Sequence, residues 1–129
     1  MRTSLSIIIA LALCRPLCAG ATTPSTVNFD EVLGMPIVTI HTSQGKKRFV
    51  LDTGSVISSM DIKRGKELSV SVAGKQFVVR FWPTQTKVFR QFETLLPPGE
   101  HVDGILGSDF MRHFHHVSFD FNGRLVSFE

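Results

Sequence analysis

The chain has 129 residues, of which 43% are hydrophobic and 19% charged, with ten Gly and six Pro. This length predicts one domain with enough apolar material for a core, and the composition excludes a disordered tail or a collagen-like repeat. The formal charge of +3 invites a nucleic-acid function, provided that every residue belongs to the working protein.

The N-terminal residues 1–21 have the pattern of a secretory signal peptide. Arg2 precedes an apolar run over residues 5–14, and the small residues Ala19 and Ala21 follow. The run is shorter than the roughly 20 residues that a membrane span needs, and a buried N-terminal helix is the alternative. We therefore predict a cleaved leader, a secreted or periplasmic location, and no stable membrane span after cleavage.

Removal of this leader would change the charge and the cysteine content of the chain. Cleavage after Ala21 would leave 108 residues without cysteine, and the loss of Arg2 and Arg15 would lower the formal charge from +3 to +1. The basic clusters Lys46–Arg48 and Lys63–Lys66 are then most simply solvated turns, and no nucleic-acid partner is expected.

The remaining chain is dominated by short alternating apolar runs between Gly, Pro and polar residues, a pattern that predicts strands. Residues 22–31 are expected to form a flexible lead-in to a single domain over 32–129. The predicted strands cover residues 37–41, 47–51, 68–73, 76–82, 86–92, 117–121 and 125–128. Helical spacing after a good N-cap predicts one short helix over 108–114. The predicted class is therefore all-β, with hairpins, one helix and mostly antiparallel pairing.

The first candidate site is Phe49–Ser55, where an apolar strand runs directly into Asp52, Thr53 and Gly54. A carboxylate at the end of an apolar strand is costly to bury unless hydrogen-bond donors surround it. Gly54 allows a sharp turn that presents backbone N–H groups, and Thr53 and Ser55 carry hydroxyl donors. Such a site can tune the protonation of a carboxylate; an ordinary strand-ending turn is the alternative.

The second candidate site is Val102–Met111, further along the chain. Its apolar residues Ile105 and Leu106 lie between Gly104 and Gly107, and the predicted helix follows. The glycines permit another chain segment to pack closely against this strand. A plain strand-to-helix junction is the alternative.

The chain resembles the single-lobe aspartic proteases of the retropepsin-like family, and their secreted bacterial relatives in particular. The resemblance rests on the order of the motifs: first Leu51-Asp52-Thr53-Gly54-Ser55, then a hairpin, then Gly104-Ile105-Leu106-Gly107-Ser108-Asp109-Phe110, and last a closing hairpin. The resemblance spans roughly Val32 to Glu129. It implies a small closed β-barrel-like acid-protease lobe with a hairpin flap, and an aspartic endopeptidase acting on peptides or proteins without a cofactor.

The resemblance also implies an assembly. A lobe with one Asp-Thr-Gly triplet would act as a symmetric homodimer, with one Asp52 from each subunit at the twofold axis. The two carboxylates would share a proton, so that one activates water while the other protonates the peptide carbonyl oxygen. Thr53 would brace the pair, and the Gly54 N–H and Ser55 would hydrogen-bond the carboxylates.

Members of the family close a flap over the substrate, and the predicted flap here is the hairpin over 68–82. Its tip would place Val72, Ala73 and Gly74 at the substrate, with Gly104, Ile105 and Leu106 as further cleft residues. A purely structural hairpin is the alternative. The chain has no Tyr, so a flap tyrosine is impossible, and Trp82 lies at the end of the strand rather than at its tip.

Two other groups of side chains are candidates, one for a metal site and one for a source of the second carboxylate. His113 and His116 have the spacing of a metal-ligand pair, but no partner motif accompanies them and no metal is expected. Asp61, Asp103 and Asp109 are alternative second carboxylates for a pair within one chain, although Asp109 is better explained by the helix N-terminus.

A rival function comes from another class: a retropepsin-like lobe that serves as a non-catalytic binding or assembly module in the periplasm. The short middle section and the lack of a flap aromatic favour this rival. The intact Asp52-Thr53-Gly54-Ser55 favours the enzyme, because a scaffold does not require the carboxylate.

Overall fold

A computed structural model describes residues 25–84 and 86–129, except for the side chains of Thr86, Val88 and Phe89. The predicted leader over 1–21 lies outside the described residues. The strands are β1 Ser25–Val32, β2 Met35–Thr42, β3 Gly45–Leu51, β4 Ser59–Met60, β5 Lys66–Val72, β6 Lys75–Pro83, β7 Gly104–Leu106, β8 Val117–Asp120 and β9 Leu125–Phe128. The helices are α1 Thr86–Thr94 and α2 Ser108–Met111.

Six strands close into a barrel in the order β3-β7-β4-β6-β5-β2, because β2 pairs with both β5 and β3. The remaining strands extend from β2 in the order β1-β9-β8. The β3–β7 and β4–β6 pairs are parallel, and the other pairs are antiparallel. The predicted all-β class with a closed barrel-like lobe is confirmed.

Alternation along β3 divides the apolar residues between two cores. Phe49 and Leu51 point into the main core, which fills the barrel and includes Leu106 and Phe110. Val50 points the other way, into a smaller core. The smaller core consists of Ile37, Val50, Leu96 and Val102, with Val32, Met35, Phe92 and Ile105 packed against it. The end of β3 is therefore buried on both sides, and this fixes where the chain emerges at Asp52.

The strand predicted over 86–92 is wrong, because this segment forms α1. In the sequence, apolar residues at 88, 92 and 96 have the i, i+4, i+8 spacing of a helix, which a short run shares with a strand pattern. Packing of Phe92 and Leu96 on the smaller core settles the ambiguity in favour of the helix.

The predicted flexible lead-in is a strand from Ser25 onward. The first half of β1 pairs with β9 and the second half with β2. Val27 and Phe29 alternate with exposed polar residues, and Phe29 is buried in the main core. Tertiary pairing therefore orders a segment whose composition resembles a loop.

Two smaller expectations also need correction. Helix α2 ends at Met111 rather than at Phe114, and its N-cap is Gly107, which offers no side-chain cap. The basic cluster Lys46–Arg48 lies on β3 instead of in a turn, and Arg48 forms ion pairs with acidic residues.

Candidate active site

Asp52 lies at the point where β3 leaves the barrel. Its backbone N–H continues the parallel ladder by donating to the Leu106 carbonyl oxygen at 3.0 Å. Its carboxylate is exposed and accepts a hydrogen bond from the Gly54 N–H at 2.9 Å. A side chain at Gly54 would lie 3.2 Å from the same carboxylate oxygen, so glycine gives the carboxylate room here. The result is an accessible carboxylate on a rigid strand end.

Thr53 and Ser55, predicted to support Asp52, are placed differently from each other. Thr53 is exposed and, like Leu51 before it, borders a shallow pocket with Phe119 and Phe121. Ser55 donates its backbone N–H to the Asp52 carbonyl oxygen at 3.2 Å, and its hydroxyl donates to the Ile57 carbonyl oxygen at 2.8 Å. Ser55 therefore shapes the turn. The resemblance implies that Ser55 hydrogen-bonds the carboxylate, but its hydroxyl donates to the Ile57 carbonyl oxygen instead.

The two candidate motifs meet as neighbouring parallel strands. In their register, Val50 lies opposite Ile105 and Leu51 opposite Leu106. Gly104 and Gly107 allow the segment 55–60 to lie directly on β7: a β-carbon at Gly104 would collide with the Ser59 carbonyl oxygen, and one at Gly107 would lie 2.7 Å from the Ser55 carbonyl oxygen. The close packing predicted for these glycines is therefore present.

A buried hydrogen-bond network, which the sequence did not reveal, anchors the loop after Asp52. Ser58 is fully buried, and its hydroxyl donates to Asp109 Oδ1 at 2.6 Å while accepting from the Gly107 N–H at 3.0 Å. The Ser58 N–H donates to Asp109 Oδ2 at 2.9 Å. Asp109 thus binds the loop as well as the Phe110 N–H of its own helix. No local pattern links positions 51 residues apart.

Two of the alternative second carboxylates have other partners. Asp109 is engaged by Ser58. Asp103 accepts from the Arg48 N–H at 2.8 Å and lies 3.2 Å from His101. Among the described residues, no hydrogen bond or ion pair joins Asp52 to another carboxyl group.

The turn of the hairpin predicted as the flap lies near one end of β2, whereas Asp52 lies near the other end. Ile37 of β2 pairs with Val50, whereas the far end of β2 pairs His41 with Ser71, just before the turn at Val72, Ala73 and Gly74. At the base of this turn, Lys75 donates to the His113 carbonyl oxygen and lies 5.3 Å from the Phe114 ring centroid. These contacts tie the turn to the segment after α2.

One of the histidines near α2 takes part in packing. The His113 ring stacks on Phe77 with centroids 4.0 Å apart. Over residues 25–84 and 86–129 there is no cluster of three or more His, Cys, Asp or Glu placed to hold a metal ion. No helix in these ranges has the length and apolar character needed to cross a membrane.

Of the comparisons with known proteins, the one with solved structures agrees with the fold. No protein-family model matches the chain, and no curated protein matches it. Among solved structures, the chain is similar to a retropepsin-like aspartic protease from Rickettsia conorii, with a TM-score of 0.53 and 16% identity over 82% of this chain and 89% of that one. At this identity the likeness concerns the fold alone.

Proposed function

We propose that the chain is an aspartic endopeptidase that hydrolyses peptide bonds with a pair of Asp52 carboxylates, one from each subunit of a homodimer. The observation that carries the proposal is the exposed Asp52 carboxylate, held by the Gly54 N–H at the end of a strand buried on both sides. The fold shared with a retropepsin-like aspartic protease supports it. The leader pattern favours a secreted or periplasmic enzyme.

The surface next to Asp52 supports a second copy as the source of the other carboxylate. Val56 and Ile57, on the loop that follows, are 67% and 47% exposed. Large apolar side chains beside an exposed carboxylate are costly to leave in water and typical of a contact surface. A twofold axis near Asp52 would cover them and bring two carboxylates together.

The chemistry follows from placing two carboxylates a few ångströms apart. Both cannot ionise readily, so the pair retains one proton. The ionised member removes a proton from water as the oxygen attacks the peptide carbonyl carbon, and the protonated member donates to the carbonyl oxygen. Collapse of the resulting diol breaks the C–N bond, and the amine leaves with a proton from the pair. The Gly54 N–H orients each carboxylate for these transfers.

Replacement of the carboxylate by its amide tests the proposal. Asp52→Asn is expected to lower cleavage of an unfolded protein at acidic pH about 1,000-fold, because the amide can neither accept nor donate the proton. Asp61→Asn is the matched control and is expected to retain cleavage, since Asp61 is also exposed and directly follows β4 as Asp52 directly follows β3. Undiminished cleavage by Asp52→Asn would refute the mechanism, and loss of cleavage in both Asp52→Asn and Asp61→Asn would indicate a pair within one chain.

The dimer has a separate test. Cleavage per chain is expected to rise with protein concentration until the dimer saturates, in parallel with the dimer fraction measured by sedimentation velocity. Constant cleavage per chain in a protein that sediments as a monomer throughout would exclude the symmetric pair.

The non-catalytic module remains the second candidate, and the contacts of the β5–β6 turn favour it. With Lys75 bound to the segment after α2, this turn gives no support to the predicted flap. A dimer that forms normally but cleaves nothing would favour the module.

A further inference from the structure

On the side of Val50, the surface beside Asp52 is apolar but covered. The Asp52 N–H continues the ladder one residue beyond β3, and strand alternation carried to that residue puts its side chain on the same side as Val50. Val50 is only 4% exposed and pairs with Ile105 on β7, and Ile37 lies opposite it on β2. A peptide bound at Asp52 would lay its neighbouring side chains along this side of the strand.

The cover is the segment formed by α1 and the loop that follows it, residues 86–101; Val102 and Asp103 beyond it belong to the smaller core and to the backbone bonding of Arg48. Phe92 near the end of α1 and Leu96 just after it pack on Ile37 and Val50, and Leu96 is 8% exposed. Their large apolar side chains lie where an apolar substrate side chain would have to bind.

Charged contacts hold this segment to the barrel. Arg48 on β3 pairs with Glu100 at 2.8 Å and with Asp30 on β1 at 3.1 Å, and it also donates to the His101 carbonyl oxygen. His101 bridges Glu93 on α1 at 3.3 Å and Asp103 at 3.2 Å. The His101 side chain is 65% exposed, so this attachment is accessible to solvent and weak compared with buried contacts.

We propose that residues 86–101 form a lid that occupies the binding surface for a large apolar substrate side chain beside Asp52. This inference rests on the proposed function. The lid selects substrates, because only a side chain comparable to Phe or Leu replaces the contacts that Phe92 and Leu96 give up. It also lowers the apparent affinity for every peptide, because a bound peptide must first displace it.

Peptide binding in an inactive background tests the lid without requiring catalysis. In Asp52→Asn, the further changes Glu100→Gln and His101→Ala are expected to tighten binding of a fluorescent peptide with central Leu and Phe residues about fivefold, as measured by anisotropy. Glu67→Gln is the control, because it removes a surface ion pair with Arg80 on the β5–β6 hairpin. Unchanged or weaker binding in the lid variant, with the control also unchanged, would overturn the lid.

A second measurement needs no change in the lid. Addition of the same peptide to the Asp52→Asn protein is expected to accelerate amide hydrogen exchange in residues 86–94, since binding releases α1. Slower exchange there would show that α1 packs on the peptide and would overturn displacement. This measurement also decides the question if the lid variant fails to fold.

The lid and the proposed function fail separately. If the wild type cleaves while the lid changes in the Asp52→Asn protein leave peptide affinity unaltered, the protease is retained and the lid is refuted. Tighter peptide binding in the lid variant, without cleavage by any Asp52 protein, would retain the lid and refute the protease.

Discussion

The loop over residues 52–58 lies against β7, and the lid over residues 86–101 lies against the Val50 side of β3; different contacts hold them. The loop is bound by buried groups: Ser58 with Asp109, and the Ser55 carbonyl oxygen with the Ser108 N–H at 2.7 Å. The lid is bound by two apolar side chains and by ion pairs such as Arg48–Glu100 at the surface.

This difference separates a fixed part of the site from a displaceable one. Moving the loop would leave polar groups buried without partners, which costs the full desolvation of each group. Moving the lid would return its charged groups to water, where they are well solvated. A fixed carboxylate beside a cover of low stability is the arrangement that an enzyme with a rigid centre and a gated binding surface requires.

The largest expected loss of stability comes from adding a side chain at Gly107, where the loop packs closely after β7. A β-carbon at Gly107 would lie 2.7 Å from the Ser55 and 2.8 Å from the Ile57 carbonyl oxygen. Since backbone cannot yield as a side chain does, Gly107→Ala is expected to lower the free energy of unfolding by about 3 kcal/mol in urea denaturation. The milder comparison is Gly65→Ala, where the nearest atom, the Phe81 carbonyl oxygen, would lie at 3.3 Å and the loss should be only about 1 kcal/mol. Equal effects would show that the loop is not closely packed.

The next largest effect tests the buried hydrogen bonds of the loop. Ser58→Ala leaves the Gly107 N–H without its partner and removes one of the two hydrogen bonds that Asp109 Oδ1 accepts, and it is expected to cost about 2 kcal/mol. Ser71→Ala, at an exposed position of β5, is the control and should change stability little. If the two variants unfolded at the same urea concentration, the network would not anchor the loop.

The sequence predicts the fixed region far better than the lid, for a physical reason. Asp52, Gly54, Gly104 and Gly107 occupy places that few other residues can fill, so the local chemistry is visible in the chain itself. The pairing of Ser58 with Asp109 joins distant positions, and a single sequence contains no local signal for it.

The lid is misread because its structure depends on tertiary packing. The apolar pattern of residues 86–92 fits a short strand as well as a helix, and the choice is made by contacts of Phe92 and Leu96 with Ile37 and Val50. Arg48 likewise belongs to a basic run in the sequence, and only the fold brings Asp30 and Glu100 to it.

The smallest effect belongs to the lid and completes the contrast with Ser58→Ala. Glu93→Gln removes the charge that lies 3.3 Å from His101, whose side chain is 65% exposed. Because both groups remain solvated when separated, the free energy of unfolding should fall by only about 0.5 kcal/mol, while amide exchange in residues 86–94 accelerates. Raising the salt concentration to 1 M should shift the wild type toward the variant, since exposed charges are screened. A loss as large as that of Ser58→Ala, or exchange that stays slow, would mean that the lid is as firmly fixed as the loop and that no displaceable cover lies beside Asp52.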